Sequence, residues 1–100
     1  MDEMVAMRLE WDDGERHQRD YGRVARVMGL RETPPDGLVV HTAGATADGG
    51  FRVFDVWESR DHIEAFFAER LMPLMGDVLG GPPQPPARTE VYDLDVVVRT

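Results

Sequence analysis

The chain has no cysteine and no lysine. Without cysteine there is no disulfide framework, no thiolate metal site and no thiol nucleophile. That composition suits a reducing cytoplasm, which is the expected location. Without lysine, all 11 basic residues are arginines, and arginine stays protonated at any physiological pH. Proton acceptance near neutrality therefore falls to His17, His41, His62 and perturbed carboxylates. Basic charge is outweighed, 11 residues against 19 acidic ones, for a net charge of −8. Phosphate binding needs a basic surface, so no nucleic-acid partner is expected. No apolar run approaches the ~20 residues of a membrane span, and Met1-Asp2-Glu3-Met4 lacks the pattern of a signal peptide. There is no Gly-rich phosphate loop and no serine in a nucleophile setting. No two histidines have close ligand spacing, so no metal is expected; no cofactor is expected.

At 100 residues the chain is read as one domain, 1–100. Its organising stretch is Gly50 to Gly76. Phe51, Val53 and Trp57 on one parity and Phe54 and Val56 on the other predict a strand covered on both faces. Ser59 then caps a helix, Asp61 sits favourably in its first turn, and Ile63, Phe66, Phe67, Leu71, Leu74, Met75 and Val78 recur at helical spacing. Pro73 predicts a kink or an early end. Upstream, Met4 to Trp11 alternates as a first strand. Asp12 with Glu15 reads as an acidic capping box, opening a helix from about Gly14 to Met28 that presents His17, Tyr21, Val24, Ala25 and Met28 on one face. Gly29 ends it. Leu38 to Ala45 and the organising strand form a hairpin across Ala47-Asp48-Gly49-Gly50. Gly80 to Arg88 is too rich in proline for helix. Its Pro82-x-x-Pro85 reads as a connector rather than a partner ligand. Thr89 to Arg99 is the fourth strand.

The order β-α-β-β-α-β predicts the α+β, ferredoxin-like split βαβ fold: a four-stranded antiparallel sheet with two helices on one face. Strands one to three carry apolar residues on both parities, and two helices cover only one face. A second copy of the sheet is the economical cover, so a homodimer is expected.

Burial cost suggests which parity faces which way. An unpaired aspartate beneath helices is expensive, so Asp55, and Trp57 with it, are expected on the open face, with Phe54 and Val56 against the helices. Val5, Met7 and Leu9 go inward, Arg8 and Glu10 outward. Tyr92, Leu94 and Val96 go inward, as do Leu38 and Val40, leaving Val39, His41 and Ala43 on the open face. That face would form a mostly apolar pocket with a few polar groups, the usual form of a small-molecule site.

Gly37-Leu-Val-Val-His41, Val56-Trp57-Glu58-Ser59 and Arg70-Leu71-Met72-Pro73, in this element order, resemble the antibiotic-biosynthesis-monooxygenase-like superfamily of dimeric α/β barrels. The resemblance implies that fold and dimer. Some members are cofactor-independent monooxygenases of polycyclic phenols, which implies a pocket forming a substrate carbanion or phenolate that passes an electron to dioxygen. The haem-degrading branch has an asparagine on strand one, a tryptophan on strand three, which Trp57 matches, and a haem-ligating histidine within helix two. Here strand one has no asparagine and His62 stands at the helix start, so haem is not expected.

The candidate site joins these readings. His41 is the catalytic base, Asp55 its orienting carboxylate, and Trp57, Arg8 and Val39 are substrate contacts, for a small hydrophobic or aromatic molecule. A histidine merely bonded within the sheet, a core tryptophan and an Asp55–arginine ion pair are the structural alternatives. Three function classes stay open: an oxidative enzyme, a non-catalytic binding protein and a structural dimer with a solid interior.

Overall fold

The computed structural model describes residues 4–81 and 84–99. Met1 to Glu3, where the signal-peptide pattern was sought, and Pro82 of the proline pair lie outside the described residues. The elements are β1 (Val5–Trp11), α1 (Gly14–Met28), β2 (Leu38–Ala45), β3 (Phe51–Trp57), α2 (Arg60–Phe66), a π-helical turn (Phe67–Leu71), α3 (Met72–Leu79) and β4 (Arg88–Asp93). The strands pair antiparallel in the order β2-β3-β1-β4, the ferredoxin-like arrangement. Among the described residues no helix is long and apolar enough to cross a membrane.

Local chemistry sets the helix ends. Asp13, not Asp12, caps α1: its carboxylate accepts from the Arg16 amide at 3.1 Å. Gly14 follows because the start of α1 presses on the β2–β3 turn, its amide donating to the Gly49 carbonyl at 2.9 Å. A Cβ there would lie 2.6 Å from the carbonyl oxygens of Gly49 and Gly50. Gly29, at φ 63°, ends the helix. Ser59 caps α2 by accepting from the His62 amide at 3.3 Å. The second helix does not end at Pro73. Its turn widens immediately before, where the Met72 amide reaches the Phe67 carbonyl. A π turn at that place accommodates a residue that can neither donate nor tolerate the carbonyl one turn back.

β4 is shorter than the alternation Thr89 to Arg99 suggests. Pairing stops at Asp93, and beyond it the Leu94 amide bonds the Met4 carbonyl at 2.9 Å. Ahead of β4, Trp11 donates to the Gln84 carbonyl at 3.1 Å and Ala87 donates to the Glu10 carbonyl at 2.8 Å, laying the chain across the end of β1.

The core is Val5, Met7, Trp57 and Ile63, with Leu9, Leu38, Phe66, Phe67 and Val91 packed against it. Burying each such side chain contributes roughly 1.5–3 kcal/mol. The register shows that the expected facing of β3 and β4 is reversed. Antiparallel partners share a face, and Met7 pairs with Asp55, Val5 with Trp57, and Met7 with Val91. Asp55 and Trp57 therefore lie beneath the helices with Met7, while Phe54, Val56 and Tyr92 face the other way. Asp93 shares Val5's face and pairs with Arg60 at 3.3 Å.

On β2 a bulge between Leu38 and Val40 shifts the alternation by one residue. Leu38 faces the helices as expected, but Val40 turns outward and His41 and Ala43 turn inward, opposite Asp55 and Val53. The open face is apolar along one cross-strand row, Val40–Val56–Ala6–Tyr92. Two rows away it is an ion-pair lattice around Glu10, which takes Arg52 at 3.0 Å, Arg8 at 3.4 Å and Arg88 at 3.7 Å. The Arg52 hydrogen bond, chiefly, holds the Glu10 carboxyl below its ordinary value, against the cost of its burial.

Candidate functional site

Between the helices and the sheet lies a cavity of about 120 Å³. Its wall is mostly apolar, with Val53 and Trp57 from β3, Met7 from β1, Val24 from α1, Phe66 from α2 and Met75 from α3. The polar groups reaching it include His17, Tyr21, His41 and Asp55. The pocket expected on the open face is thus on the opposite side of the sheet, and it carried His41, Asp55 and Trp57 with it.

These residues form one hydrogen-bonded chain. His41 Nδ1 lies 2.6 Å from Asp55 Oδ1, and His41 Nε2 lies 2.7 Å from the Tyr21 hydroxyl. Trp57 Nε1 donates to the second Asp55 oxygen at 3.2 Å. A carboxylate only accepts, so Nδ1 carries the proton of that bond. In the neutral ring Nε2 is then an acceptor, and Tyr21 donates to it. Asp55 is 3% exposed. It tolerates that burial because both its oxygens are bonded. The cost that would exclude an unpaired aspartate does not arise.

The tyrosine ring stacks on the imidazole, centroids 5.8 Å apart, and leans on Phe51 at 5.5 Å. Burial, with the Asp55 charge adding to it, raises the Tyr21 phenol above its ordinary value, so it remains a donor at neutral pH. Trp57 is 1% exposed and packs on Phe66 with centroids 5.4 Å apart.

The other predicted contacts do not join the cluster. Arg8 is on the far face, bonded to Glu90 at 3.0 Å and to Glu10. Val39 is the residue at the bulge and is not part of the cavity wall. His62 is held at the start of α2 by Ser59, Oγ to Nδ1 2.7 Å. Among the cavity groups absent from the expected site are Tyr21 and His17. Both had a signal: they lie one helical turn apart on the face of α1 that carries Val24, Ala25 and Met28. Among the described residues no group of three or more His, Cys, Asp or Glu side chains could hold a metal ion.

The arrangement can move a proton. A group in the cavity that gives its proton to the Tyr21 oxygen, as the phenol proton passes to His41 Nε2, leaves an imidazolium paired with Asp55.

No protein-family model and no curated protein matches the sequence. Solved structures match the fold. A Nitrosomonas europaea protein, assigned by name alone as an antibiotic biosynthesis monooxygenase, matches with a TM-score of 0.69 at 11% identity, over 95% of this chain and 93% of its own. A Caulobacter crescentus protein with the same name-level assignment matches at 0.65 and 14% identity, over 97% of this chain and 92% of its own. A conserved Bacteroides thetaiotaomicron protein of unknown function matches at 0.66 and 9% identity, over 94% and 100%. The chain thus has the ferredoxin-like fold of the antibiotic-biosynthesis-monooxygenase-like proteins.

Proposed function

We propose that the chain is a cofactor-independent oxygenase-like enzyme acting on an aromatic substrate in the cavity under its helices. His41 is the base, Asp55 orients it, and Tyr21 relays the proton. The observation that carries this reading is the unbroken Tyr21–His41–Asp55 chain reaching a mostly apolar cavity. Low polarity around the chain strengthens each of its bonds. Trp57 holds the second Asp55 oxygen and is part of the apolar wall.

The chemistry balances without a cofactor. A phenol loses its proton to the relay, and the phenolate passes one electron to dioxygen. The radical pair then combines at a ring carbon, and loss of water leaves a quinone. One oxygen atom enters the quinone, the other leaves as water, and the substrate supplies both reducing equivalents. The cavity volume of about 120 Å³ favours a single ring over the polycyclic substrates first expected, since drug-sized sites span about 300–1,000 Å³. Dioxygen uptake with a panel of monocyclic and polycyclic phenols tests the reading. Binding without uptake across the panel would leave a non-catalytic binding protein, the second reading the cavity supports.

A second copy of the chain covers the open face. Its apolar row is wet at Val40 (46% exposed) and Tyr92 (40%), and Val96 and Val98 beyond β4 are more exposed still. An apolar row, with exposed valines following β4, suits pairing with another copy better than solvation. Sedimentation at micromolar concentration is expected to give twice the chain mass of 11.3 kDa. A stable monomer would remove the dimer from the proposal without touching the cavity.

A further inference from the structure

His17 lines the same cavity as Tyr21, one turn earlier on α1. Tyr21 has its partner in His41. The Nε2 of His17 is buried and has no hydrogen-bond partner among the described residues. Buried polar atoms are nearly always bonded, so an orphan calls for a missing partner. The ring is held in place: it stacks on Trp11, centroids 5.1 Å apart and planes at 27°, and Trp11 is itself tied to the Gln84 carbonyl. Burial, chiefly, with the Arg16 charge beside it, keeps the imidazole below its ordinary pKa, against smaller opposing effects from the charges of Asp20 and Asp13 and from the Gln84 side-chain amide, which lies near the ring but makes no hydrogen bond of good geometry to Nε2. The neutral ring can donate or accept at Nε2, depending on its tautomer. A hydroxyl satisfies both cases, because it is donor and acceptor at once.

Residues four apart on a helix are neighbours, with Cβ atoms about 5–6 Å apart, so one ligand oxygen can lie between His17 and Tyr21. The rest of the space is mostly apolar and small: the cavity holds about 120 Å³, well below the about 300–1,000 Å³ of drug-sized sites, so it limits a ligand to a small one. We infer that His17 is a specificity-determining residue of this cavity, its Nε2 bonding the hydroxyl of a single-ring molecule whose ring fills the apolar space beside Phe51, Val53 and Trp57. The inference rests on the aromatic-ligand reading above and names the group that selects the ligand.

Phenol and toluene, nearly equal in shape, are the probes, titrated calorimetrically into the full chain and into His17→Phe. The wild-type protein is expected to bind phenol up to about 10-fold more tightly than toluene, the worth of one buried hydrogen bond. In His17→Phe the preference should vanish while toluene affinity is kept. Nitrogen NMR of the wild-type protein supplies a readout that does not depend on the variant folding. Phenol should move the His17 Nε2 resonance, toluene should not, and His62 is the internal reference. Equal affinity for the two probes, no binding of either, a preference that survives His17→Phe, or an unmoved His17 resonance would each overturn the inference. Wild-type dioxygen turnover, read beside the phenol–toluene preference, separates it from the enzymatic reading. Preference kept with no wild-type turnover sinks the base proposal alone, and wild-type turnover with no preference sinks this one alone.

Discussion

His41→Ala is expected to lower turnover of any phenol the protein oxidises by about 10²–10⁴-fold, the usual loss with a general base. That is about 3–5.5 kcal/mol of transition-state stabilisation. The variant removes the only group among the described residues that bonds both Tyr21 and Asp55. The relayed proton then has nowhere to go, since Asp55 is out of reach behind the missing ring. Alanine also leaves Asp55 short of one buried donor, at a stability cost of about 1–3 kcal/mol. His41→Gln distinguishes the two losses. Its amide can bond to its neighbours but accepts no proton at neutral pH, so it should keep more of the stability and none of the rate. Steady-state dioxygen consumption and thermal unfolding, measured on the same preparations, read both. Retained turnover in His41→Ala would remove the imidazole from the reaction.

Trp57→Ala should be the most destabilising single change in the core. The indole is 1% exposed, lies against Phe66 and belongs to the buried cluster with Val5, Met7 and Ile63. Losing it costs about 3–5 kcal/mol in burial and cavity formation. For a domain of this size that corresponds to a fall in Tm on the order of 10–40 °C. Trp57→Phe restores much of the volume but not the N–H that bonds Asp55, and is expected to cost about 1–3 kcal/mol. Thermal unfolding orders the three proteins. A tryptophan that served only to stack on a ligand from an exposed face would give the opposite pattern, with affinity lost and Tm nearly unchanged.

The fold was legible because it rests on period and punctuation. Strand alternation, the apolar stripe of α1, Gly29, Ser59 and the β2–β3 turn all act locally, and each lies where its chemistry puts it. The facing of the strands was less legible because it rests on pairing. Treating Asp55 as an unpaired charge turned β3 over. In the fold that carboxylate meets His41, 14 residues earlier, and the indole of Trp57. A regular β2 would have kept His41 and Leu38 on opposite faces. One extra residue at Val39 aligns them, and nothing in Leu38-Val39-Val40 announces a bulge. Tyr21 was visible on its helix face, but its role depends on a strand that follows 20 residues later. Arg8 was correctly placed on the open face, and for that reason belongs to the ion pairs around Glu10 rather than to the cavity.

The central claim is that this cavity takes a proton from a phenol through Tyr21 and His41. Anaerobic absorbance of a chromogenic phenol bound to the protein tests it most directly, at a pH well below the phenol's own pKa and with dioxygen absent so that no later step intervenes. The account predicts the phenolate band on binding to the wild-type protein, and its loss in His41→Gln with the phenol still bound. A bound phenol that keeps its neutral spectrum in the wild-type protein, or a phenolate band that persists in His41→Gln, would contradict it.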